Sequence, residues 1–256
     1  MGTVEYAASP DFPAPATDPM LTELVFRDDA YAQTLEATVT AVHERGVEFD
    51  RTIFYPQGGG QVGDVGVLRR ANGETLTVVD TRKGETPDSV LHLLAPDAAA
   101  PSVGETLTLA IDWPRRYALM RLHTALHVMS CVVVAPVSGG NISPEKGRLD
   151  FDIDMSLLDA AKIEQETNAL TAKAVDTETV WITDAELDAQ PELVKTMSVQ
   201  PPRNGGRVRL LRIPGIDLQP CGGTHVRNIG EIKGIRVLKI RSEGKRNKRV
   251  EIGLVD

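Results

Sequence analysis

Two pairs of potential metal ligands with the same four-residue separation, His123/His127 and Cys221/His225, constrain this fold more than any other feature. The first pair lies in RRYALMRLHTALHVMSCVVV, a stretch opened by Pro114 and free of internal Gly and Pro, which reads as a buried helix. On a helix, positions i and i+4 share a face one turn apart, so the two imidazoles can grip one ion. The second pair sits in Cys221-Gly-Gly-Thr-His225 after Pro220, where two glycines disfavour helix and predict a loop or turn. For all four to meet, a mid-chain helix must pack against a turn near the C-terminus. Imidazole and thiolate donors favour zinc over magnesium or calcium. Taken alone, His123 and His127 also fit a pair of packed core histidines; the second, glycine-flanked pair weakens that reading. Cys131, four residues beyond His127, is a stand-in ligand or, more simply, a small core residue. Thr124 stands where the helical zinc-protease signature needs its glutamate base, so a metalloprotease is disfavoured.

The rest of the chain predicts an α+β protein in two parts. Residues 1–19, rich in Ala and Pro and without apolar periodicity, read as a flexible extension, with Met20 an alternative start. Residues 20–113 carry short alternating runs (TLEATVTAV, GVEFD, DVGVLRR, ETLTVVD, SVLHLL, ETLTLAID) separated by turn signals, the pattern of a small β-barrel-like domain. Residues 114–256 combine the buried helix with a second, amphipathic one, SLLDAAKIEQETNALTAKAV, for which Ser156 is the expected N-cap. Around them KGRLDFDID, TETVWITD, RVRLLRI, IKGIRVLKIRSEG and KRVEIGLV read as strands, so helices should pack on an antiparallel sheet.

Charge is distributed unevenly. The whole chain has a net charge of −8, but residues 203–256 hold 13 Lys+Arg against 5 Asp+Glu, leaving 15 against 31 in the remainder. A basic tail on an acidic body suggests a surface facing a polyanion; a solvated sheet edge guarded by lysines is the plainer alternative. Lys245, Arg246, Lys248 and Arg249 are the candidate phosphate contacts. Two cysteines, ninety positions apart, make no disulfide framework. No apolar run reaches the length of a membrane span, and the N-terminus lacks the features of a secretory signal. A cytoplasmic location is the expectation.

RLHTALH at 121–127, CGGTHVRNIGEIKGIRVLKIRSEGKRNKRVEI at 221–252 and the glycine-rich FYPQGGGQVGDVG at 54–66 together resemble the stand-alone alanyl-tRNA editing proteins of AlaX type. These are similar to the editing domain of alanyl-tRNA synthetase and, more distantly, to that of threonyl-tRNA synthetase. The resemblance runs from about Met20 to the C-terminus. It implies a zinc-dependent deacylase acting in trans on the acceptor end of mischarged tRNA(Ala), carrying serine, glycine or both, with zinc on His123, His127, Cys221 and His225. Such editing has a physical need: one methylene or hydroxyl gives a synthetase pocket only about 1–3 kcal/mol of discrimination. Four protein ligands close the site unless one leaves or the coordination expands; otherwise zinc organises the pocket while the substrate activates the water. Thr224 is a candidate partner for the seryl hydroxyl, and Asn141 and Arg148 are candidates for the pocket. Many relatives carry Gln after the Asn, where this chain has Ile142. Gly58, Gly59, Gly60 and Gln61 either approach the tRNA acceptor end or form a tight inter-strand turn. Competing readings are a zinc hydrolase of a small ester or amide and a non-catalytic, zinc-stabilised RNA-binding module.

Overall fold

The computed structural model describes residues 22–86, 88–197 and 206–255, so the expected extension at 1–19 lies outside the described residues. A short β1 (Glu23–Leu24) leads into β2 (Thr34–His43), β3 (Gly46–Phe49), β4 (Arg51–Thr52), β5 (Gly66–Arg69), β6 (Thr75–Lys83), β7 (Val90–Leu94) and β8 (Thr106–Ile111). Six of these close into an antiparallel barrel in the order β2-β3-β7-β6-β5-β8, while β1 and β4 pair separately in parallel. The alternation read from the sequence is the cause. In TLTVVDTRK the buried positions Leu76, Val78 and Thr81 point inward while Thr75, Thr77, Val79 and Arg82 are exposed, with a bulge between Val78 and Asp80. Val39, Val47, Phe49, Leu68, Leu107 and Leu109 fill the interior.

The 20-residue helix α1 (Trp113–Val132) follows at once, capped by Asp112, whose side chain accepts from Arg115 N, with Pro114 in the first turn. Its residues from Leu119 to Met129 are nearly all buried, as the unbroken apolar run requires. Beyond it come β9 (Val137–Ile142), β10 (Gly147–Asp152), α2 (Ala160–Thr171), β11 (Glu178–Thr183), α3 (Asp184–Asp188), β12 (Arg207–Ile213), β13 (Asp217–Pro220), β14 (Ile235–Ser242) and β15 (Asn247–Leu254). These strands make two antiparallel sheets rather than one, β14-β15-β10-β9 and β11-β12-β13. Helices α1 and α2 share a core with the four-stranded sheet through Leu122, Leu126, Met129, Phe151, Ile163 and Val250.

The expected cap of α2 requires correction. Ser156 does not cap it: its hydroxyl bonds Asp154 Oδ1 at 2.8 Å within a short 3-10 turn, and the helix begins after Asp159, which accepts from Lys162 N at 3.1 Å. The aspartate stands where the backbone actually turns helical.

A buried ion pair joins barrel to helix. Arg116, on the first turn of α1, reaches Asp64 of the glycine-rich segment with two guanidinium nitrogens and donates to the carbonyls of Ala30 (3.0 Å) and Ile53 (2.6 Å). Asp64 also accepts from Tyr55 N at 2.7 Å, so the loop, the barrel and the helix are fixed together where the site forms. Among the described residues no helix is long and apolar enough to cross a membrane.

Candidate metal centre and its cavity

The helix and the turn meet. One ligand atom from each of His123, His127, Cys221 and His225 lies within 4.8 Å of the others. Cys221 Sγ is 3.4 Å from His123 Nε2 and 3.2 Å from His225 Nε2. A tetrahedral zinc with ordinary Zn–N and Zn–S bonds holds its N and S ligands about 3.5 Å apart, so the donor set has the right size.

All three imidazoles are held through Nδ1, leaving Nε2 for the centre. His123 Nδ1 donates to Gln61 Oε1 at 2.8 Å, and the Gln61 amide in turn donates to Thr224 Oγ1 at 2.9 Å. His225 Nδ1 donates to Thr124 Oγ1 at 3.2 Å, whose own proton goes to Met120 O at 2.9 Å. His127 Nδ1 donates to Asp217 Oδ2 at 3.0 Å. Asp217 is itself held by Lys195 Nζ (2.9 Å) and by Gln219 Nε2 (2.8 Å). Partners of this kind fix tautomer and ring orientation around a metal. Thr124, the residue that excludes the protease signature, therefore has a positive use.

The ligands differ in protonation. Burial alone favours a neutral Cys221 thiol, but the His123 and His225 imidazoles beside it outweigh that and hold its pKa well below the usual thiol range. Burial pushes His225 down to about 3, so it is neutral. For His127 burial also acts downward, yet the Asp217 carboxylate and Cys221 prevail and raise it to about 9, so a cation binding here displaces a proton from its Nε2. Cys131 stands outside the cluster: burial raises its thiol to about 11, and its Sγ lies 3.5 Å from the His127 carbonyl.

The turn has the chain it needs. A Cβ at Gly223 would stand 2.2 Å from His123 Cε1 and 2.5 Å from Nδ1, so the backbone approaches the imidazole only because this residue is glycine. Arg209 on β12 clamps the same turn, donating to the carbonyls of Cys221 (2.9 Å) and Gly223 (3.1 Å).

A cavity of about 420 Å³ opens onto the cluster, within the size range of small-molecule sites. Gly58, Gly59 and Gly60 line it, and Gly58–Gln61 is a tight turn closed by reciprocal backbone bonds of 3.0 and 2.9 Å. Gly60 (φ +83°) packs against Gly140, where a Cβ would meet the carbonyl oxygen at 2.7 Å. Gln61 is fully buried beneath, a neighbour of the histidines rather than of solvent. Thr224 is likewise buried, with its hydroxyl engaged by Gln61 and off the cavity wall. Asn141 lines the cavity, while Arg148 turns away to pair with Asp150. Ile142 is buried in the core and offers the cavity no polar group.

The basic tail is more committed than its composition suggests. Arg249 pairs with Asp150 and Glu243, Arg246 with Asp152, and Lys248 is buried with its ammonium on the carbonyls of Gly244 and Lys245. Of the four candidate phosphate contacts only Lys245 has no such partner among the described residues. The register of β10 on β15 is the reason, setting Asp150 opposite Arg249.

Gln61 was legible as part of the glycine motif, but its partner was not. Asp217, Lys195, Gln219 and Arg209 carry no motif signal, beyond the position of Asp217 and Gln219 just ahead of the Cys-Gly-Gly-Thr-His turn.

Two known families match the sequence. "Threonyl and Alanyl tRNA synthetase second additional domain" matches residues 208–251, and "tRNA synthetases class II (A)" matches residues 23–115. The chain is 34% identical over 234 residues to the alanyl-tRNA editing protein AlaX-M of Saccharolobus solfataricus, covering 90% of this chain and 98% of that protein. It is 32% identical to the AlaX-M protein of Methanosarcina mazei, covering 92% and 98% respectively. An alanine–tRNA ligase of Saccharolobus islandicus is 30% identical, with 86% of this chain matching 25% of the ligase.

Proposed function

The chain belongs to the family of AlaX-M alanyl-tRNA editing proteins, and from that premise we propose that it is a zinc-dependent deacylase, hydrolysing in trans the ester that joins serine or glycine to tRNA(Ala). The observation that carries the reading is the convergence of His123, His127, Cys221 and His225 on one point in the wall of a cavity. Three imidazoles oriented through Nδ1 and a thiol already shifted toward thiolate form a donor set that fits zinc. Zinc so held supplies Lewis acidity toward an ester carbonyl or a bound water.

The protein's own groups do the rest. Gln61, Thr124 and Asp217 keep the three ring planes fixed, so no reorganisation of the histidines is needed during turnover. The turn at Gly58–Gly60, with Leu126 and Leu149, walls the ester off from bulk water. Asn141, on the cavity wall with its side-chain amide free of internal bonds among the described residues, is placed to meet polar groups of the aminoacyl moiety. Ser130, also on the wall, is held between the His127 carbonyl and Gln219. Thr224 Oγ1 accepts from Gln61 and keeps its own proton, which makes it the candidate donor to a seryl hydroxyl. The part comprising residues 20–113 brings the glycine-rich turn to the site, and residues 114–256 carry the four ligands.

The test is incubation with Ser-, Gly- and Ala-tRNA(Ala), with and without a chelator. The reading expects serine or glycine to be released, alanine to be spared, and chelation to abolish release. Release insensitive to metal, or hydrolysis of small esters with tRNA left intact, would overturn it.

A further inference from the structure

The substrate of the proposed reaction has a fixed covalent order: amino acid, ester, ribose, then the phosphate that links the terminal nucleotide to the rest of the tRNA. With the ester at the four-ligand cluster, that anion stands one ribose away, at the cavity or its mouth. Cations that line the cavity are Arg27, Lys83, Lys195 and Arg209. Two of them are committed. Lys195 donates to Asp217 at 2.9 Å, and the buried Arg209 guanidinium holds two backbone carbonyls of the ligand turn and Thr179 Oγ1.

The other two come from the N-terminal part of the chain. Lys83 ends β6, is exposed, and its ammonium has no hydrogen bond or ion pair among the described residues. Its stem lies over the glycine turn, where Cε would be 3.4 Å from a Cβ at Gly58. Arg27 is about three-quarters buried and has only a loose pairing with Asp88 at 3.5 Å. Phe26 and Tyr55, in edge-to-face ring contact, line the cavity beside them. A cavity lined by metal ligands and also by an unpaired ammonium and a loosely paired guanidinium is larger and more cationic than an amino acid alone requires.

We propose that Lys83, assisted by Arg27, seats the phosphate of the substrate's 3′-terminal nucleotide, so that the barrel wall distinguishes a nucleotide ester from a free amino-acid ester. The inference rests on the deacylase reading. It moves phosphate recognition at the site from the basic tail, where Arg246 and Arg249 are ion-paired and Lys248 is held by backbone carbonyls, to a lysine more than a hundred residues upstream.

The experiment compares two minimal substrates, adenosine and adenosine 5′-monophosphate each carrying serine on the 2′(3′) hydroxyl, for wild type, Lys83→Gln and Arg27→Gln. Lys83 is exposed, so its variant folds. Wild type should hydrolyse the 5′-phosphorylated ester with a kcat/KM about tenfold higher, the scale of one hydrogen-bonded charge contact. In Lys83→Gln this ratio should fall most of the way to one, and in Arg27→Gln part of the way. With full-length Ser-tRNA, the slope of log KM against log salt should shrink by about 0.7 in Lys83→Gln, one single-strand phosphate contact. A ratio near one in wild type, or an equal ratio in wild type and Lys83→Gln, overturns the seat while leaving the deacylase reading intact. Absence of hydrolysis of either ester, and of Ser-tRNA, by zinc-loaded wild type overturns both.

Discussion

Gly223→Ala is the sharpest perturbation the site offers. The added Cβ would stand 2.2 Å from His123 Cε1 and 3.1 Å from Gln61 Oε1, against 3.4 Å for ordinary contact, so relief requires the ring to move by about 1 Å. Helix α1 cannot absorb this, because Leu119, Leu122 and Leu126 around His123 are buried in the core. The imidazole must therefore rotate away from Gln61 and Cys221. Loss of an orienting partner costs about 10–100-fold in metal affinity, and a misplacement of this size about 100-fold in rate. Overpacking adds about 1–3 kcal/mol of destabilisation, or roughly 2–12 °C in Tm for a chain of this length. Zinc affinity by competition with a chromophoric chelator, followed by kcat/KM on Ser-tRNA(Ala), reads both effects. Gly58→Ala is the contrast: its Cβ would meet nothing nearer than 3.4 Å, so zinc affinity should stay within about twofold of wild type. Wild-type zinc binding by Gly223→Ala, or an equal loss in Gly58→Ala, would refute the reasoning.

Three further outcomes follow from the geometry. His92 is fully buried in the barrel, accepting from Thr52 Oγ1 and donating to Val47 O, and burial lowers its pKa from 6.5 to about 4. Its unfolded form takes up a proton first, so stability is complete above about pH 6.5 and falls by about 3 kcal/mol on acidification to about pH 4; His92→Gln should flatten that part of the urea-midpoint profile, and an unchanged profile contradicts it. Arg116→Met strands the buried Asp64 carboxylate and should cost about 3–5 kcal/mol by denaturant titration, whereas Asp64→Asn with Arg116→Met should recover part of the loss. Arg249→Ala should lower Tm by removing one of the two guanidinium partners of the buried Asp150 carboxylate, with KM for tRNA changed less than about twofold; a severalfold rise in KM at constant Tm would support Arg249 as a phosphate contact.

What the sequence displays here is what short-range periodicity can encode. The barrel strands, α1 and the four ligands all depend on spacings of two, three or four residues, and each is where those spacings put it. The groups that orient the ligands arrive from far away. Gln61 reaches His123 across 62 positions and Thr224 across 163, and Asp217 reaches His127 across 90. No local pattern marks such pairs. Charge is partly hidden for the same reason: composition counts thirteen basic residues in the tail, but only the fold shows that β10 sets Asp150 against Arg249 and Asp152 beside Arg246. Lys83, in an acidic stretch of chain, becomes conspicuous only when the barrel brings it to the cavity. The Ser156 cap went the same way, since Asp154 took its hydroxyl and Asp159 took the helix.

The central claim is that one zinc ion on His123, His127, Cys221 and His225 sustains deacylation. The direct measurement adds zinc stepwise to metal-stripped protein and follows serine release from Ser-tRNA(Ala) in a single turnover. The account predicts a rate that is negligible without metal, rises linearly and breaks at one equivalent per chain, with Cys221→Ala and His127→Ala showing no such break. Full activity in the metal-free protein, or in either variant, would contradict it.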